Sequence, residues 1–182
     1  VYWHTPSGPA TPFPPSLSRP GISRGILRTL PFPESIPASF LPSAFPAFRA
    51  MSSDPCPCRA HEGRPLAYSA CCGRYHAGPQ YLQAPDAEAL MRSRYSAFVR
   101  GDTAYLLATW AAENRPETLE AEPSGLRWLG LDVRRHDEQD ADHATVEFVA
   151  RSKLGGRAHR LHETSRFVRR DGRWFYLDGD LH

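Results

Sequence analysis

Along the second half of the chain the apolar residues change their period. Between Asp86 and Arg100 they fall at Leu90, Met91, Tyr95, Phe98 and Val99, three and four apart, which lays one buried stripe along a helix. Asp86 stands where an N-cap belongs, and Gly101 where a left-handed residue ends a helix. Asp102 opens a second helix, in which Leu106, Leu107 and Trp110 again lie three or four apart. Residues 113–125 are polar and carry Pro116, Pro123 and Gly125, so they read as a loop with at most a short helical turn.

From Leu126 the pattern alternates. Leu129, Leu131 and Val133 share one face, as do Val146, Phe148 and Ala150, and Gly155-Gly156 makes the following turn. A third strand runs from about Ala158 to Arg169. Asp171-Gly172 is a two-residue hairpin signal, with Trp174 to Asp178 returning. Helices first and antiparallel strands afterwards predict an α+β domain, its helices packed on one face of a curved sheet. If Arg170 pairs with Arg173, then Phe167 faces Tyr176 and Ser165 faces Asp178. Glu163, Ser165, Phe167, Trp174, Tyr176 and Asp178 then share one face, with His162, Thr164, Arg166, Val168, Phe175 and Leu177 on the other.

The first fifty residues break with all of this. They hold eleven of the eighteen prolines, so they cannot sustain a helix, and their apolar residues follow no period. Residues 1–50 are expected to be a disordered Pro-rich leader, with the natural product beginning at Met51. The charge picture changes with them. The 22 basic and 20 acidic side chains of the whole chain become 18 and 19 once the leader's four arginines and one glutamate are set aside. The basic balance belongs to the leader, and it argues against a nucleic-acid partner. No apolar run is long enough to cross a membrane, and no secretory signal is visible, which places the chain in the reducing cytoplasm.

Candidate chemistry concentrates in one stretch. Cys56, Cys58, Cys71 and Cys72 are the only cysteines, set as two close pairs around a twelve-residue loop. Paired thiolates closing a loop are how a chain supplies four tetrahedral ligands to zinc. Pro55 and Pro57 favour the extended or turning backbone that Cys-x-Cys needs. Disulfides, a redox thiol pair and an iron–sulfur cluster are the alternatives, and His61 or His76 stands near enough to replace a cysteine. Zinc is the expected cofactor.

Cys-Pro-Cys followed by a loop and Cys-Cys-Gly resembles the SEC-C zinc knuckle, also found at the tail of the SecA translocation ATPase. Leu90 to Trp110, Trp128 to Leu131 and Ser165 to Gly179 are similar to the bacterial YchJ family, and the likeness covers about residues 54–180. The knuckle loop is longer than usual, with Arg59-Ala60 where Gly-Ser is typical, and no second knuckle follows before His182. The resemblance implies a knuckle over residues 51–80 and a nuclear transport factor 2-like cone over 81–182.

In such a cone the concave sheet face and the first helices enclose a cavity. That makes pocket candidates of Arg92, Arg94, Tyr95, Trp110, Trp128, Glu163, Ser165, Tyr176 and Asp178, with Arg92 or Arg94 reaching Glu163. Set against acid/base chemistry by Asp178, Glu163 and Tyr95 is a plain structural ion pair. No nucleophile elbow, phosphate loop or dinucleotide fingerprint is present. Two functions remain: a non-enzymatic adaptor that docks a protein partner through its knuckle, or a small-molecule binding protein or enzyme using the cone. By analogy with SecA the partner is a chaperone or a ribosome-associated protein, and the sheet offers a surface for a homodimer.

Overall fold

Capping decides where the helices begin and end. In the computed structural model, which describes residues 54–182, a single turn, α1 (Gly73–His76), follows the second cysteine pair. The Asp86 carboxylate then accepts from the Ala89 N–H at 2.7 Å and opens α2 (Ala87–Arg100). Gly101, at φ 68°, ends it in the left-handed conformation that a side chain resists. Asp102 caps α3 (Thr103–Ala108) through the Tyr105 N–H at 3.0 Å. Both helices are where the periodicity predicts them, although Val99 lies off the buried stripe. The expected leader, residues 1–50, lies outside the described residues.

Four antiparallel strands follow: β1 (Arg127–Glu138), β2 (His143–Leu154), β3 (Arg157–Arg170) and β4 (Arg173–Leu181), in the order β1-β2-β3-β4. One face carries Leu131, Val146, Phe148, Ala150, Phe167 and Tyr176, all buried, and α2 packs against it with Leu90, Met91 and Tyr95. The chain is α+β, with helices on an open, curved antiparallel sheet. Leu129 departs from its expected place, because a bulge between Trp128 and Gly130 turns Trp128 inward and leaves Leu129 exposed. The free edge of β4 is covered. The Tyr176 N–H donates to Thr109 O at 2.9 Å, and the Ala111 N–H donates to Tyr176 O at 2.8 Å, so the segment after α3 runs alongside it.

The β3–β4 hairpin corrects the predicted register. Asp171 (φ 49°) and Gly172 (φ 75°) form the tight turn, Arg170 pairs with Arg173 and Phe167 with Tyr176, as the Asp-Gly signal requires. Beyond that, β4 carries an extra residue, Leu177, and Arg166 pairs with Asp178 while Ser165 pairs with Gly179. A single inserted residue reverses every later side chain. Asp178 therefore lies on the outer face, opposite Glu163.

Candidate metal centre

Both cysteine pairs sit in tight turns that the backbone fixes locally. Cys56 precedes a 3-10 turn, Pro57–Arg59, that contains Cys58, and Cys71 and Cys72 lie between a second turn, Tyr68–Ala70, and α1. The two arms are tied by the Cys56 N–H to Leu66 O at 2.8 Å and the Tyr68 N–H to Asp54 O at 2.7 Å. Gly73 packs so closely under the Tyr68 ring that a Cβ there would meet its Cδ1 at 2.8 Å, which leaves room for no other residue.

These turns gather all four sulfurs. Cys58 Sγ lies 3.6 Å from Cys56 Sγ, 3.7 Å from Cys71 Sγ and 3.5 Å from Cys72 Sγ; Cys71 and Cys72 are 3.9 Å apart. All four lie within 4.8 Å of one another, none is bridged, and Cys56, Cys58 and Cys72 are buried. Hydrogen bonds from Cys58, Cys71 and Cys72 pull the Cys56 thiol down. Contacts with Cys56, Cys58 and Cys71, and then burial, push the Cys72 thiol up. Cys71 is lowered as well, while Cys58 is raised, so two thiolates are stabilised at the others' expense and the cluster needs a cation if all four are to ionise. Four close cysteines of this kind can hold a metal ion.

Neither histidine joins them. His61 lies against β1, where a Cβ on Gly130 would approach its Nδ1 to 3.1 Å. His76 accepts from Tyr68 OH at Nδ1 (2.7 Å), donates from Nε2 to Ser93 O (3.0 Å), and packs on the Tyr105 ring at 4.2 Å. Burial lowers its pKa and keeps it neutral. Ser96, which the sequence reading missed, extends Oγ from α2 to within 3.6 Å of Cys56 Sγ. Cys56, Cys58, Cys72 and Tyr75 belong to the same buried cluster as Leu90, Phe98 and Tyr105, so the knuckle and α2 share one core.

On the other side of α2, the cone interior holds part of the predicted pocket set. Glu163 and Ser165 are fully buried on the inner face, where the Ser165 hydroxyl donates to Glu163 Oε1 at 2.6 Å and Tyr176 OH donates to it at 3.3 Å. Arg94, fully buried, donates through Nη1 to Leu106 O and Thr109 Oγ1, both at 2.8 Å, and its guanidinium lies over the Trp110 and Tyr176 rings. Burial lowers its pKa to about 10, with Tyr176, Tyr105 and Glu163 opposing the shift, so it keeps its charge at neutral pH. Gly179 makes this possible. A Cβ there would fall 2.3 Å from Glu163 Oε1, so the carboxylate rests against bare β4 backbone.

The remaining candidates point elsewhere. Arg92 reaches Glu88 at 2.7 Å, on the knuckle side of α2 and away from Glu163. Tyr95 bonds the Gly130 backbone and packs edge-on to Trp128, 5.5 Å between centroids, towards β1. Asp178 pairs with Arg166 on the outer face, beside Asp180. An acid/base pair of Glu163 and Asp178 is thereby ruled out. Phe148, Phe167, Tyr176 and Trp110 fill the interior. A cleft of about 150 Å³ is lined by Phe98, Thr103, Leu106, Leu119 and Glu122, and by none of the predicted pocket residues.

Residues 86–179 match the family model described as the middle NTF2-like domain of YchJ. The UPF0225 protein of Methylibium petroleiphilum is 65% identical over 127 residues, covering 70% of this chain and 88% of that protein. The UPF0225 protein of Bordetella pertussis is 57% identical over 126 residues, covering 69% and 92%. Among solved structures, a SEC-C motif containing protein from Psychrobacter arcticus superposes with a TM-score of 0.61 at 32% identity, over 72% of this chain and 85% of that one. One from Rhodopseudomonas palustris gives 0.57 at 33%, over 65% and 94%.

Proposed function

Because the chain belongs to the YchJ family of UPF0225 proteins, we propose that it is a zinc-binding adaptor that docks a protein partner through its knuckle. The carrying observation is the closed four-sulfur cluster. Four ligands at a zinc–thiolate bond length of about 2.3 Å stand roughly 3.8 Å apart along the edges of a tetrahedron. Four of the six separations, at 3.5–3.9 Å, bracket that value, and all six lie within 4.8 Å. Protein would then fill every coordination position, leaving none for substrate, which is the pattern of a structural site. Bound zinc supplies the charge that keeps four thiolates together; the chain supplies the turns and the Ser96 hydroxyl that orient them.

Shared packing with α2 makes the knuckle a fixed platform, which lowers the cost of ordering it on a partner. Its outward loop presents Gly63, Arg64, Pro65 and Leu66, with Leu66 half exposed. By analogy with the knuckle at the tail of SecA, a cytoplasmic chaperone or ribosome-associated protein is the kind of partner such a platform would dock. The filled cone interior argues for the same reading over a small-molecule enzyme, since ligand pockets enclose roughly 300–1,000 Å³.

The test is a pull-down from native lysate with wild type, a Cys71→Ser, Cys72→Ser double variant, and Leu66→Glu. A partner retained by wild type and lost in both variants, while Leu66→Glu keeps its metal and melting temperature, supports docking through the knuckle. Equal capture by all three overturns it.

A further inference from the structure

We propose that the outer sheet face at the β2–β3 turn is a docking surface for structured RNA, held through its phosphates. Arg151 pairs directly across from Arg160, and Arg127 directly across from Lys153, the only lysine in the chain. Arg151 and Lys153 are two apart on β2, so the register places all four cations side by side on one face. Arg157 and His159 extend the patch around the turn, on the opposite face, and all six residues are exposed. From Arg151 to His162 the sequence contains no acid.

The rest of this face is built differently. Arg134 pairs with Asp132, Arg135 with Asp137, His162 with Glu147, and Arg166 with Asp178 and Asp180. Arg127, Arg151, Lys153, Arg157 and Arg160 make no ion pair among the described residues. An ordinary solvated face interleaves its signs, as this one does elsewhere. Like charges directly opposite destabilise a sheet, and two such pairs stand here side by side. A local rule broken without compensation marks a working surface. The overall charge balance, which argues against a nucleic-acid partner, is blind to this segregation.

The chemistry selects the partner. Arginine-rich surfaces suit phosphates through bidentate hydrogen bonds. No aromatic ring projects from the four-cation patch, so it offers neither the stacking platform of a single-strand binder nor the anchor typical of a protein interface. A broad sheet surface matches the wide, shallow minor groove of A-form RNA, which is read by shape and backbone contact.

The experiment is fluorescence anisotropy of the full metal-loaded chain with a labelled RNA duplex of about 16 base pairs. A DNA duplex of the same sequence and poly-glutamate serve as competitors. Four phosphate contacts predict a log-affinity against log-salt slope of roughly −3 to −4. Arg151→Ser with Arg160→Ser should weaken binding by about tenfold or more and flatten the slope by about 2. It should not lower the melting temperature, since it removes a repulsion, and the ion-paired Arg134→Ser should leave binding unchanged. No RNA binding at low salt, an unchanged slope in the double variant, a marked drop in its melting temperature, or poly-glutamate or DNA binding as tightly as RNA would each overturn the proposal.

Discussion

Gly179→Ala tests the cone interior more sharply than any charge substitution. Gly179 does not adopt a positive φ, so alanine fits the backbone and its cost comes from space alone. The new Cβ would fall 2.3 Å from Glu163 Oε1, 2.8 Å from Cδ and 3.0 Å from Cγ. An exposed glutamate would swing away cheaply. Glu163 is fully buried and pinned by Ser165 and Tyr176, so moving it means breaking a buried charge-assisted bond or shifting β4. Overpacking costs about 1–3 kcal/mol, and a buried polar group left unsatisfied costs about 1–3 more, so a total of roughly 2–6 kcal/mol is expected. For a domain of this size that lowers the melting temperature by about 6–20 °C. Urea denaturation of a double-mutant cycle with Glu163→Ala isolates the clash, because Gly179→Ala should cost at least ~1 kcal/mol less once the carboxylate is gone. A variant that melts with wild type, or one whose cost is the same in both backgrounds, would refute the reasoning.

Other outcomes follow from the same contacts. Glu163→Gln should cost about 1.5–3 kcal/mol in denaturant titrations, because it weakens the buried charge-assisted bonds from Ser165 and Tyr176. Asp178→Asn, on the outer face, should cost no more than about 1 kcal/mol; equal costs would restore the predicted register. Ser96→Ala should weaken metal affinity by about tenfold in chelator competition without unfolding the chain, and unchanged affinity would remove Ser96 from the site. His76 has a folded pKa below its unfolded value of 6.5, so its contribution is whole above that pH and is lost as pH falls towards the folded value. Wild type should therefore lose stability below about pH 6.5 more steeply than His76→Gln, as read from denaturation midpoints across pH.

The helices and the turn were legible because their signals are local. Asp86, Gly101, Asp102 and Asp171-Gly172 each fix a backbone conformation through a neighbour a few residues away, and each does so as read. The four cysteines were equally legible, since two short spacers limit how the sulfurs can meet. What escaped depends on residues distant in sequence. The bulge at Leu177 moved Asp178 to the outer face, and its one sequence trace is Gly179, a strand glycine of the sort that marks a bulge or a close approach. Ser96 and Thr109 take their roles from partners across the core, Cys56 and Arg94, which no spacing announces. The union of knuckle and α2 into one core was hidden for the same reason. Cys56 and Cys72 pack in one cluster with Leu90 and Phe98, contacts that the spacing of the cysteines does not announce.

Native mass spectrometry of the untagged chain, purified without added metal, bears most directly on the proposed zinc knuckle. One zinc per chain in wild type, and none in the Cys71→Ser, Cys72→Ser variant, is the predicted result. A wild-type chain that carries no zinc, and whose mass shows its cysteines joined in bridges under reducing conditions, would contradict it.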